Sequence, residues 1–89
     1  MGRYTVTAWH NADVHNGPYI KPDNVISKVA AGEVYTADCW TNGQAVDDEG
    51  YHNDIWIRLP LPAGGVGYVS AIYLEGDERA NLPEATGYC

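Results

Sequence analysis

No phenylalanine occurs in this chain of 89 residues, which also holds one methionine, two cysteines and five lysine and arginine residues. Each shortage excludes something. Without Phe, the large rings are seven Tyr and three Trp, all of which carry a polar handle. That composition fits rings half exposed to water, as on peptide-binding surfaces. The basic residues Arg3, Lys21, Lys28, Arg58 and Arg79 are scattered, and the formal net charge is -7. Nucleic acid, anionic lipid and anionic wall polymers are therefore poor main ligands, because counterion release needs clustered cations. An acidic surface keeps a small protein soluble, and any specific use of it favours a cationic or neutral partner. No apolar run approaches the length that spans a bilayer, and no stretch sustains a helical period.

The length supports one domain, which buries only about 60 to 65% of the surface of its unfolded chain, so a covalent staple would help. Cys39 and Cys89 can pair in one way. A bridge across that loop would stabilise by about 4 kcal/mol in the chain-entropy model. The alternative is a buried free thiol at Cys39 and a loose one at Cys89, suited to a reducing cytosol. The terminal position of Cys89 favours the bridge, since pinning a tail that otherwise frays gives it a physical use. Disulfide use implies an oxidising compartment. Residues Gly2, Arg3, Tyr4 and Thr5 form no apolar signal segment. The chain reads as a mature or excised domain, secreted or cell-wall associated.

Residues 3–9 alternate, with Tyr4, Val6 and Ala8 on one face, which predicts a half-buried strand. Residues 10–24 are dense in Asn, Gly, Pro and Asp and predict a long ordered loop. A strand is expected at 25–29. Another follows the turn at 30–33, with Tyr35, Ala37 and Cys39 inward and Val34, Thr36, Asp38 and Trp40 outward. Residues 41–54 are expected as a polar loop and 55–59 as a strand; the Pro- and Gly-rich 60–65 ends a hairpin. A strand at 67–69 leads into a 3₁₀ turn and a β stub over 70–74. The tail, 75–89, is polar apart from Leu82 and Tyr88. The class is all-β, and a closed or nearly closed barrel is the economical way to manage the strand edges.

Two segments carry a resemblance: Asp13-Val14-His15-Asn16-Gly17-Pro18, a strand end set against a Gly-Pro turn, and Gly67-Tyr68-Val69-Ser70-Ala71-Ile72-Tyr73-Leu74, a glycine-opened strand running into a short turn. Together they resemble the two ends of a bacterial SH3-like (SH3b) barrel, of the kind found in small secreted bacterial proteins. The resemblance covers residues 4–74. It departs from the usual pattern at His15, where the family often has Arg, at Asn16, in place of Ser, and at Tyr68, in place of Trp. It implies a small SH3-like barrel of about five to six short strands with long loops. Residues 1–74 would form the barrel and 75–89 a tail on the same domain, tied back by Cys39 and Cys89.

Chemistry is thinly represented. His10, His15 and His52 lie near carboxylates, but His10 and His15 share a loop with no ligand spacing of HExxH or CxxC type. A turn histidine bonded to its own loop, or an exposed one, is the simpler expectation. The segment Asp47-Asp48-Glu49-Gly50-Tyr51-His52-Asn53-Asp54 concentrates oxygen ligands of the sort Ca²⁺ takes, without the EF-hand alternation; a solvated acidic loop is the alternative. Ser27 and Ser70 lie in no nucleophile elbow, and a bridged Cys39 offers no thiolate. No enzyme, metal or cofactor is expected.

The resemblance implies a groove between the loop after the first strand and the loop after the third, suited to extended or proline-rich chains. By position it would draw on Trp9, Tyr19, Trp40, Tyr51, Trp56 and Tyr73, with Tyr19, Tyr51 and Trp56 offering stacking area. Asp47, Asp48 and Asp54 would select ligands bearing amines, such as the stem or bridge peptides of peptidoglycan. Tyr4, Tyr35 and Tyr68 are expected in core or cross-strand packing. The expected function is a non-catalytic secreted module, a monomer, recognising cell-wall peptide. The alternative is a freestanding interaction or inhibitory domain whose partner is a folded protein.

Overall fold

The computed structural model describes residues 4–89 and contains strands and one 3₁₀ turn, with no α-helix among them. The strands are β1 (Tyr4–Thr7), β2 (Ala12–His15), β3 (Val25–Val29), β4 (Val34–Ala37), β5 (Cys39–Asp48), β6 (Tyr51–Pro60) and β7 (Val66–Ser70), and the 3₁₀ turn is Ala71–Tyr73. Two antiparallel sheets result, one of β1 and β4, the other in the order β3-β2-β7-β6-β5. The expected strand at 3–9 is β1; its first residue, Arg3, lies outside the described residues.

The all-β class holds, but the hydrogen-bond ladder does not close into a barrel. The expected strand at 34–40 is interrupted at Asp38, between β4 and β5. Asp38 N–H still donates to the Arg58 carbonyl at 2.8 Å, and its carboxylate lies 3.6 Å from Arg58 Nε. The chain therefore bends there, pairs β1 before the bend and β6 after it, and hands over from one sheet to the other. The far side is joined by a single bridge, Ala8 to Leu74, with Glu75 N–H donating to the Thr7 carbonyl at 2.8 Å.

Two further expectations are corrected. Residues 41–54 are not a loop but most of a hairpin, β5 and β6, turned by Glu49 (φ 52°) and Gly50 (φ 80°). A two-residue turn with both central φ angles positive matches the twist of its flanking strands, and this outweighs the polarity of the segment. Within residues 10–24, Ala12–His15 form β2, because Val14 reaches the core and is 1% exposed. Burial of one alternating side chain overrides the turn formers on either side.

The core lies between the sheets: Val6 and Ala37 from the smaller, with Ala8 just past β1, and Val14, Val29, Trp40, Ile55, Ile57, Leu59 and Val69 from the larger. Tyr4 and Tyr35 pack on it, partly buried. The tail completes it with Ala80 and Leu82. Beyond Leu82 the chain runs beside the start of β5: Trp40 N–H donates to the Gly87 carbonyl at 2.7 Å, and Cys89 N–H to the Trp40 carbonyl at 2.9 Å. Cys39 and Cys89 form a disulfide with a Cα separation of 5.5 Å. Neither cysteine is free, so of the two expectations for the pair the bridge is the one realised.

Candidate functional site

A sheet has two faces, and in the larger one Val14, Ile57 and Val69 point to the core. The opposite parity places Asp13, His15, Trp56, Tyr68 and Ser70 on the outer face. The register agrees, pairing His15 with Tyr68 and Trp56 with Ser70. Trp56 (1% exposed) forms a second apolar cluster there with Val46 and Ile72, against which Tyr68 and Tyr73 pack.

Part of this face is roofed by two irregular segments. The register of β5 slips between Asn42 and Val46, and the displaced residues meet the loop after β2. Gln44 N–H donates to the Pro18 carbonyl (2.9 Å), Ile20 N–H to Gln44 Oε1 (2.9 Å), and Trp56 Nε1–H to the Gln44 carbonyl (2.8 Å). Gly43 makes the approach feasible, since a Cβ there would collide with the Pro18 carbonyl oxygen. The same loop is tied by Asn24, 3% exposed, whose Oδ1 accepts from Lys21 N–H (3.0 Å) while its Nδ2 donates to the Tyr19 carbonyl (2.8 Å).

The uncovered part is a cleft of about 560 Å³. His15, Ser70, Trp56 and Val46 line it together with Tyr35, Ile20, Val29 and Tyr73, and Asp13, Lys28 and Asp48 supply charge. His15 is buried and stacks edge-on against Trp56 with ring centroids 5.5 Å apart. It bonds within its own loop, to Asn24. Lys28 Nζ stands 4.0 Å from Asp13, an exposed pair that contributes little. Tyr73 O–H donates to Asp48 Oδ2 at 2.7 Å. Burial first, then that hydrogen bond and the charges of Asp48, Glu49 and Asp13, push the phenol pKa up to about 12. Tyr73 stays a neutral donor across the physiological range.

A second depression, about 460 Å³, lies across the 3₁₀ turn, which gives Tyr73 to the first and Ile72 to the second. Trp9, Tyr51 and Leu74 line it, with Glu75, Asp77 and Glu78. The ring of Trp9 lies 5.6 Å from that of Tyr51, and its Nε1–H donates to the Ile72 carbonyl at 2.7 Å.

The nine residues expected to bind ligand are thus dispersed. Trp56, Tyr73 and Asp48 line the cleft; Trp9 and Tyr51 line the second depression. Trp56 offers no half-wet ring, because the Gln44 segment and the aromatic cluster seal it. Trp40 is also buried, on the tail side, where its Nε1–H donates to the Pro83 carbonyl (2.9 Å) and its ring meets that of Tyr88 at 4.7 Å. The outward parity expected for Trp40, and the inward one for Cys39, are overturned: the bend at Asp38 shifts the alternation, so Trp40 pairs with Ile57 and joins the core while Cys39 pairs with Arg58. Tyr19 is exposed beside Lys21, and lines neither depression. Asp47 and Asp54 project from the hairpin, Asp54 accepting a 3.4 Å bond from Asn42. The residues 47–54 do not converge, and among the described residues no group of three or more His, Cys, Asp or Glu side chains is placed to hold a metal ion.

Sequence reasoning missed Asp13, His15, Tyr35 and Ser70 as a set. The signal was available: once Val14 is assigned to the core, alternation puts Asp13 and His15 on the outer face. Compared with family models, curated proteins and solved structures, the chain matches none.

Proposed function

We propose that this protein is a secreted, non-catalytic binding module of the bacterial SH3-like kind, and that its cleft takes an extended peptide bearing an amine, with cell-wall peptide as the ligand class. The observation that carries this reading is the pairing, in one open cleft, of ring surface from Tyr35 and Tyr73 with the carboxylates of Asp13 and Asp48. Ring faces and carboxylates both attract ammonium groups. The disulfide agrees with an oxidising compartment. Exposed charge contacts contribute under about 1 kcal/mol each, so the affinity of the isolated module is modest.

The test is co-sedimentation with isolated peptidoglycan. The protein is expected in the pellet, and Asp13→Asn combined with Asp48→Asn is expected to return much of it to the supernatant. Wild-type protein that stays in the supernatant rules out the wall ligand. A second reading, a domain that docks on a folded protein, is favoured by one observation: β3 is a sheet edge that exposes Val25 and Ile26. Unpaired edges with apolar side chains are templates for strand addition. A pull-down from culture supernatant that is lost on Ile26→Lys supports this reading over the first.

A further inference from the structure

His15 is the one histidine of the chain buried by the fold, at 6% exposure. Its Nδ1 lies 2.8 Å from Asn24 Oδ1. The amide of Asn24 cannot be reversed, because Oδ1 also accepts from the Lys21 N–H and Nδ2 donates to the Tyr19 carbonyl. His15 Nδ1 must then carry the hydrogen and donate it, and in the neutral ring Nε2 is left as a bare acceptor. No described group donates to Nε2, and it is not among the sealed unpartnered atoms, which are Arg58 Nε and Arg79 Nε. His15 lines the cleft, so the free lone pair is accessible from it. Ser70, 2% exposed, lines the same cleft. Its Oγ accepts a long 3.4 Å bond from Ile72 N–H, which leaves the hydroxyl hydrogen to donate elsewhere. Both residues flank the Trp56 indole: His15 stacks on it, and Ser70 is its partner across β6 and β7.

We infer that His15 Nε2 and the Ser70 hydroxyl form an amide-reading pair on the cleft floor, accepting from the N–H and donating to the C=O of one secondary amide of the ligand. A secondary amide is the common group that offers one donor and one acceptor, and leaving either floor atom unmet in a covered site costs binding. The amide can come from a peptide bond or from an N-acetylated sugar. The inference rests on the proposed binding cleft and adds to it the group that is read at its floor. It also assigns Asn24 as a positioning residue, which sets the tautomer without touching the ligand.

The experiment uses ¹⁵N-labelled full-length protein and follows the imidazole nitrogens of His15 together with backbone amides. In the free protein, the spectrum is expected to show the Nδ1–H tautomer. Two probes are titrated separately, acetyl-Ala-Lys-Ala-amide and N-acetylglucosamine. A saturable shift of His15 Nε2 toward hydrogen-bonded values supports the pair, and the probe that produces it identifies the source of the amide. For the peptide, replacing each internal amide by an ester is expected to weaken binding about three- to tenfold at one position, the scale of one hydrogen bond. In Ser70→Ala, the response of Nε2 remains while affinity falls by a similar factor. If cleft amides shift but Nε2 does not, the amide inference is overturned and the peptide-binding reading survives. If only the sugar moves Nε2, the amide inference stands and the peptide reading falls. If neither probe shifts any cleft residue, both fall. These readouts are taken on wild-type protein first, so a variant that fails to fold does not decide the matter.

Discussion

Tyr73 and Asp48 join the 3₁₀ turn to the tip of the β5–β6 hairpin through a 2.7 Å hydrogen bond, beside which Trp9 packs on Tyr51 and His10 Nε2 stands 3.7 Å from Glu49. The hairpin would otherwise project freely. These contacts hold it against the segment after β1 and fix one wall of the cleft.

That latch has a titration signature. The Tyr73 phenol is raised from 10.0 to about 12, so at neutral pH it is un-ionised in folded and unfolded chains alike. Between those values the unfolded chain ionises first, and stability falls as pH rises through the window. Phenolate absorbance is expected to show a last step near pH 12 that Tyr73→Phe removes. Asp48→Asn should lower that step but leave it above 10, because burial is the larger cause. A step unmoved by Asp48→Asn would rule out the latch.

Much of the fold was legible from alternation and turn residues, because Val6, Ala8, Ala37 and Val69 occupy positions whose parity the sequence displays. What escaped depends on contacts between segments distant in the chain. Glu49-Gly50 makes a tight turn that the acidic run around it disguises, and Trp40 faces the core beside Ile57 only because the bend at Asp38 shifts the alternation between β4 and β5. The cleft was half legible: Trp56, Tyr73 and Asp48 stood out as aromatic and acidic residues, whereas His15 and Ser70 gain meaning only when β2, β6 and β7 are adjacent.

Trp56 is a structural residue of the cleft as well as its floor. Its ring is 1% exposed, so Trp56→Ala is expected to cost about 3 to 5 kcal/mol, a large part of the stability of so small a domain. Gly43→Ala attacks the same joint from above, since its Cβ meets the Pro18 carbonyl and the Trp56 ring; overpacking of that kind costs about 1 to 3 kcal/mol. Urea unfolding of the two variants measures both losses. Wild-type stability in Gly43→Ala would show that the Pro18 and Gln44 segments do not hold each other. Loss of ligand binding in Trp56→Ala therefore has to be judged against its folded fraction.

The turn after Gly76 depends on one exposed carboxylate. Asp77 Oδ1 accepts from Arg79 N–H (2.9 Å) and Asn81 N–H (2.8 Å), and its own N–H donates to Asn81 Oδ1 (3.2 Å). The Asn81 and Arg79 backbone bonds hold its pKa below the usual carboxylate value. The folded value lies below the unfolded one, so the contribution is present above about pH 4 and is lost as pH falls through the lowered value. Amide exchange at Arg79 and Asn81 is expected to accelerate in that acid range before the strands open. Asp77→Asn should bring the same acceleration at neutral pH, and unchanged protection in both would exclude the role.

The tail is where the disulfide acts. Its loop spans a sequence separation of 50, for which the chain-entropy estimate is about 4 kcal/mol, acting mainly by restricting the unfolded chain. The folded contacts of the tail, Trp40 with Gly87, Tyr88 and Cys89, are local to the bridge and rely on it for register. Reduction is therefore expected to lower the urea midpoint, and to raise the slope because the freed chain exposes more surface on unfolding. Tyr88 and the Trp40 indole should lose their folded signals before β6 and β7 do, while Leu82, deeper in the core, holds on longer. A thiol titration in denaturant without reductant is expected to find no reactive sulfhydryl. Two reactive groups, or equal stability of the oxidised and reduced forms, would show that packing alone holds the tail and would remove the argument for an oxidising compartment.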